Sequence, residues 1–138
     1  MSRVRLAFCE RTEADPVRGR VPMLRYDIVA DGDRVGEIVL RLGKTDHLRR
    51  YGGQLGYRVR PDAQRRGHAT AAVRLLRPIA VAQGFDALWV TCRPDNVASR
   101  RVLEKAGAVF VEAVTVPGDS DLFARGDRVM CRYRLALP

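Results

Sequence analysis

A chain of 138 residues, 46% hydrophobic and 30% charged, has the size of one domain with a real core, so residues 1–138 are read as a single domain with one site. Its cysteines, Cys9, Cys92 and Cys131, are odd in number, widely separated and without C-x-x-C spacing, so neither a disulfide framework nor a zinc site is signalled. The net charge of +9 points to anionic ligands, but the positive charge is almost all arginine spread along the chain, with few interleaved aromatics, so a nucleic-acid partner is disfavoured.

Lysine occurs only as Lys44 and Lys105. The amino terminus "MSRVRLAFCERTE" turns charged after a few apolar residues, and no run approaches bilayer length. A cytoplasmic setting without a membrane partner is expected.

In chain order, "VRLAF" alternates Val4, Leu6 and Phe8 and predicts a short first strand. "CERTEADPVRGRVP" is polar with Pro and Gly punctuation, and no ordered element is expected there. "LRYDIVADGDRVGEIVLRL" predicts a hairpin: Leu24, Tyr26 and Ile28 alternate, Asp31-Gly32 makes the turn, and Ile38, Leu40 and Leu42 alternate on the return. "GKTDHLRRYGG" reads as a polar loop, and "QLGYRVR" as a third strand that stops at Pro61.

From Ala69 onward, Ala72, Leu75, Leu76, Ile79 and Ala82 follow helical spacing up to Gly84. Pro78 lacks an N–H and crowds the Arg74 carbonyl, which predicts a kink or early weakening costing about 3 kcal/mol. "LWVTC" is a short buried strand, and "PDNVASRRVLEKAG" a second helix capped by Asp95 or Asn96 and ended by Gly107. "VFVEAV" and "RVMCRYRLAL" are strands, the latter with Val129, Cys131, Tyr133, Leu135 and Leu137 on one face and Met130, Arg132 and Arg134 on the other. Strands, helix, strand, helix, strands define a mixed α+β domain with a right-handed crossover.

Between the third strand and the first helix stands "VRPDAQRRGHAT". A helix entry rich in Gly and small residues leaves several N–H groups unpartnered where the helix dipole favours negative charge. Gly67 permits close approach, Ala69 and Thr70 keep the first turn uncrowded, and Arg65 and Arg66 add charge-assisted bonds. This corner reads either as a phosphate site or as a surface turn with solvated arginines. Neither G-x-G-x-x-G nor G-K-[ST] is present.

"QRRGHA", Gln64 to Ala69, resembles the [QR]-x-x-G-x-[GA] signature of the GNAT superfamily of acyl-CoA-dependent N-acetyltransferases. "DNVASRRVLEKAGAVFV" resembles the N-x-x-S-x-x-V-L-E-K-x-G pattern of the branch that includes ribosomal-protein N-terminal acetyltransferases. Both stand in family order and spacing, and the resemblance covers about residues 24 to 137. It implies a mostly antiparallel central sheet, splayed at a parallel pair by a bulge in "LGYRVR", flanked by helices. Acetyl-CoA is the implied acyl donor, with no metal. Its pantetheine arm would pair with Val59, its diphosphate with the N–H groups of Arg65, Arg66, Gly67, His68, Ala69 and Thr70, behind Gln64, and an N–H near Tyr57 or Arg58 would face the thioester carbonyl.

The resemblance also implies direct attack of a neutral amine. Asn96 matches the asparagine that contacts the cofactor arm, and helix capping is an equal reading. Ser99 matches the serine proposed to serve the leaving thiolate; a small residue early in a helix is the alternative. Relatives that use a tyrosine four residues later have no counterpart here, where Leu103 stands. The glutamate that often begins the bulged strand is replaced by Gln54, which leaves Glu37 and Glu112 as strand-borne candidate bases, with Asp46 and His47 on a loop. Each also reads as a solvated or ion-paired side chain. Cys92 lacks a His-Asp pairing and reads as a small core residue.

Relatives place two helices after the first strand, and the residues before Met23 are too few for both. An open acceptor pocket is expected, completed by "GKTDHLRRYGG", by "TVPGDSDLFARGD" or by a second subunit in a homodimer. Three readings follow: an N-acetyltransferase acting on a small-molecule or peptide amine, an acyl-CoA-binding module with little turnover, and a basic nucleic-acid binder.

Overall fold

The computed structural model describes residues 3–137. Strand β1 (Val4–Thr12) pairs antiparallel with β2 (Met23–Ala30), β2 with β3 (Asp33–Arg41), and β3 with β4 (Leu55–Val59), giving a four-stranded sheet in chain order. The β2–β3 turn is the expected one, with Asp31 and Gly32 at φ 52° and 88°, the left-handed pair that matches strand twist in a two-residue hairpin loop. Helix α1 (His68–Ala82) leads to β5 (Ala87–Cys92), and α2 (Val97–Lys105) to β6 (Val109–Thr115). A short helix α3 (Asp121–Ala124) precedes β7 (Val129–Ala136), which lies between β5 and β6 in a three-stranded antiparallel sheet.

Helix α1 packs on the first sheet, and α2 packs beside α1 and on β6. The core joins Ile28, Ile38 and Leu40 of the first sheet to Val73, Leu76 and Ala80 of α1, Leu103 of α2, and Leu88, Tyr133 and Leu135 of the second sheet. The other face of the second sheet carries a smaller cluster of Val114, Val116, Leu122 and Met130, packed with Tyr51 and Phe123. The α1 terminus is a Schellman motif: Gly84 N–H donates to the Val81 carbonyl and Phe85 N–H to Ala80.

Several expectations need correction. Strand β1 runs on to Thr12, because backbone pairing with β2 continues past a bulge at Cys9 even where the side chains are polar. The segment read as a polar loop contains a helical turn, Leu48–Gly52, anchored by buried Leu48, and α3 interrupts "TVPGDSDLFARGD" behind a Ser120 cap. Helix α1 continues through Pro78 to Ala82; its buried stripe of Ala72, Val73, Leu76 and Ala80 holds the last turn where propensity would end it. On β7, Val129 is exposed and Met130 and Arg132 are buried, since a central strand with clusters on both sides has no free face.

The expected bulge is absent from β4. Its register with β3 is unbroken from Leu55 to Val59, and the extra residues fall at Cys9, Val35 and Val111. The two sheets splay all the same. Between β4 and β5 no ladder forms, and the backbone link is Gln54 N–H to the Trp89 carbonyl at 2.7 Å, at the starts of the strands.

Candidate active site

Ladder parity shows what the open edge of β4 presents. Arg41 N–H donates to the Gln54 carbonyl and Arg60 N–H to Val35. With the register unbroken between them, Gly56 and Arg58 also turn their backbone groups to β3. Leu55, Tyr57 and Val59 therefore aim theirs at the cleft. Tyr57, and not Arg58, is the residue whose N–H faces the V. The Val59 carbonyl is taken by the Gln64 amide nitrogen at 2.9 Å, which leaves the Val59 N–H for a ligand. On the opposite arm Leu137 N–H donates to Asp86, so by the same alternation Thr91 turns its backbone groups to the cleft.

Gln54 holds the apex. It is 1% exposed, its amide nitrogen donates to the Gly43 carbonyl at 2.8 Å, and its amide oxygen accepts from Trp89 N–H at 2.9 Å. Both jobs need an amide, because a carboxylate has no donor for Gly43. Gln54→Glu is expected to lower stability at neutral pH by about 1–3 kcal/mol. The carboxyl facing that carbonyl has a raised pKa when folded, so the deficit in thermal midpoint should shrink as pH falls through that raised value and be smallest below about pH 4. A midpoint equal to wild type at pH 7 would discard this role.

The α1 entry forms the expected corner. Arg65 and Gly67 have φ of +66° and +79°, and the first intrahelical bond is Ala71 N–H to the Gly67 carbonyl at 3.0 Å. The N–H groups of His68, Ala69 and Thr70 thus have no partner within the helix. A Cβ built on Gly67 meets nothing within 4 Å, so the space above it is open for a ligand. His68 is buried with Nδ1 unpartnered among the described residues.

From this corner a groove of about 1010 Å³ runs past the end of β4 to α2. Tyr57, Val59, Gln64, Arg65, Gly67, His68, Ala69, Thr70, Asn96 and Ser99 line it, with Arg58, Arg101 and Lys105 and no carboxylate. Arg66 does not. A second cavity of about 340 Å³ lies between Leu55–Tyr57 and Val90–Arg93 and reaches Arg125, Asp127 and Met130. Tyr57, Asn96 and Ser99 belong to both.

At that junction the Tyr57 hydroxyl lies 2.8 Å from Ser99 Oγ. Burial pushes the Tyr57 pKa up to about 12, against a smaller lowering by the Ser99 bond, so the phenol stays protonated. Asn96 Oδ1 accepts from Ser99 N–H at 3.2 Å, so Asn96 caps α2 and fixes the turn that carries Ser99. Sequence reasoning assigned only a backbone role near Tyr57. Its hydroxyl crosses from the other arm into the region that Leu103, fully buried in the core, cannot serve.

The candidate bases lie elsewhere. Glu37 is bridged to Arg58 at 3.2 Å, Arg25 at 3.5 Å and Arg34 at 3.8 Å, and Glu112 is bonded to Arg132 at 2.8 Å. Neither lines either of these two cavities, nor do Asp46 and His47, which are exposed just before the helical turn. Cys92 lines the smaller cavity, opposite Cys131 on β7. Burial and the neighbouring Cys131 push its thiol pKa up, the wrong direction for a nucleophile. Among the described residues no group of three or more His, Cys, Asp or Glu could hold a metal ion, and no helix is long and apolar enough to cross a membrane.

These features make a splayed α+β domain in which a helix-entry corner of unpaired N–H groups and two cavities meet near a pair of hydroxyls. The profile of the acetyltransferase (GNAT) domain family matches residues 6–109, and the chain belongs to that family. No curated protein matches it significantly. Among solved structures, RimJ of Mycobacterium smegmatis in complex with CoA-disulfide is similar at 25% identity and TM-score 0.63, covering 83% of this chain and 53% of RimJ. RimL, a ribosomal-protein α-N-acetyltransferase with coenzyme A, aligns at 17% identity and TM-score 0.63 over 83% of this chain and 62% of its own. The aminoglycoside acetyltransferase AAC(6')-Ib with coenzyme A aligns at 18% and 0.63 over 83% and 66%. The chain therefore spans from about half to two thirds of the length of these relatives.

Proposed function

We propose that this chain is an N-acetyltransferase that moves an acetyl group from acetyl-CoA to a primary amine by direct attack. One observation carries the reading: a carboxylate-free groove with an anion corner meets a second cavity at the Tyr57–Ser99 hydroxyl pair. The unpaired N–H groups, Arg65, Arg101 and Lys105 suit a diphosphate and nucleotide. Acetyl-CoA supplies the activated acetyl group. The Val59 N–H orients the arm, and the Tyr57 N–H faces the carbonyl oxygen, where a preorganised donor stabilises developing negative charge. The Tyr57 and Ser99 hydroxyls stand where a proton is needed by the departing sulfur. The amine enters through the smaller cavity and arrives neutral.

An acyl-CoA-binding module is the second reading, favoured by one observation: the carboxylate lining the smaller cavity, Asp127, is already ion-paired with Arg93 at 3.7 Å and Arg125 at 3.2 Å. The relatives include acetyltransferases of a ribosomal protein and of aminoglycosides, so both protein and small-molecule amines belong in the trial set. Release of CoA thiol that requires both acetyl-CoA and an amine is the expected result. Calorimetric binding of acetyl-CoA with no amine-dependent release would leave the module reading in its place.

A further inference from the structure

The smaller cavity has a charge pattern that the transfer reaction itself does not require. Arg93 and Arg125 line it and share the single carboxylate of Asp127. Asp127 is 6% exposed, whereas the Arg93 and Arg125 side chains are 63% and 69% exposed, so the buried acid anchors two guanidiniums that reach into open space. Arg41 adds a third. Its Nη2 would lie 3.4 Å from a Cβ on Gly56, a residue of the cavity wall, and its Nη1 donates to the Gly53 carbonyl at 3.1 Å. Among the described residues Arg41 has no carboxylate partner, and burial together with the nearby Arg125 pushes its pKa down from the ordinary value. Three guanidiniums against one carboxylate leave an uncompensated positive field at the wall of the cavity.

Like charges around a partly desolvated pocket destabilise one another, and the strain is relieved when an anion binds. The same field repels a polycationic amine. Planar guanidinium forks match carboxylate geometry, which a lysine cluster would not do. Resting on the proposed transfer reaction, we propose that Arg93 and Arg125, with the charge of Arg41 behind the wall, bind a carboxylate carried by the acceptor, so that the substrate class is a primary amine bearing a carboxylate. Asp127 acts as a positioning residue that orients Arg93 and Arg125. The carboxylate could belong to a free amino acid or to an acidic side chain near a peptide amino terminus, and the cavity chemistry is the same for both.

The test is CoA-release kinetics of the full chain on matched pairs that differ only in carboxylate against carboxamide. One arm compares aspartic acid with asparagine amide; the other compares Ser-Asp-Ala amide with Ser-Asn-Ala amide. A carboxylate preference of roughly tenfold or more in kcat/KM is expected in one arm, which identifies the source. The preference should weaken at high salt, as a partly exposed ionic contact does. In Arg125→Gln and in Arg93→Gln it should fall toward unity with acetyl-CoA affinity intact, which also certifies folding. Equal or reversed rates within both pairs overturn this inference and leave the transferase reading standing. No turnover with any member, while acetyl-CoA binds, overturns both.

Discussion

Gly67→Val should lower acetyl-CoA affinity by at least ~100-fold in a calorimetric titration. Gly67 sits at φ +79° with open space above it, and the unpaired N–H groups of the first α1 turn follow directly. A β-branched residue in that conformation costs about 1–2 kcal/mol of strain in the folded chain. The larger effect falls on the ligand, because the isopropyl group fills the volume through which a phosphate approaches the backbone. Losing two charge-assisted bonds of about 1.5–3 kcal/mol each corresponds to a factor of roughly 10² or more. Strain and blockage separate with Gly67→Ala, which keeps the strain and removes most of the bulk. Acetyl-pantetheine separates them further, since a ligand without the diphosphate and nucleotide should bind wild type and Gly67→Val equally weakly. Unchanged acetyl-CoA affinity in Gly67→Val would show that the corner at the α1 entry holds nothing.

The corner was readable from sequence because it is local: Gln64, Gly67 and the small residues after it are contiguous, and the helix periodicity behind them is strong. The hairpin at Asp31-Gly32 was readable for the same reason. Features that depend on tertiary partners were not. The turn at Leu48–Gly52 has one buried apolar residue and no periodicity, and it is held by the Tyr51 carbonyl accepting from Thr91 Oγ1 and the Arg49 carbonyl accepting from Arg132. The resemblance places a bulge in β4, yet the register there is unbroken and the apex of the V is held by Gln54, whose amide clamps two distant backbone groups. Parity shows why Tyr57 and not Arg58 faces the cleft, but it needs the bonded ends of the ladder at Arg41 and Arg60. The smaller cavity draws its two arginines from the loop after β5 and the end of α3, so no window of sequence displays the cluster.

Ser99→Ala should lower kcat by roughly 10²-fold, the lower end of what a positioned proton donor contributes, with acetyl-CoA affinity within a few-fold of wild type. The Tyr57 hydroxyl is bound to Ser99 Oγ at 2.8 Å, and either oxygen could donate to the other. If the pair works as one unit, Tyr57→Phe should produce a comparable loss, and the double variant should be little worse than either single one. Multiplying losses would instead mean two independent donors, and a Ser99→Ala rate equal to wild type would remove the serine from the reaction. The raised Tyr57 pKa supplies a second readout. A folded-state value of about 12, against the ordinary 10.0, means that the native chain keeps the proton where the unfolded chain has released it. Stability from this group is therefore fully present below pH ~10 and is lost as pH rises through its folded value. Wild type should lose more stability than Tyr57→Phe across that alkaline window. Equal losses would mean that the phenol is not desolvated at the junction of the two cavities, and the donor role would then rest on Ser99 alone.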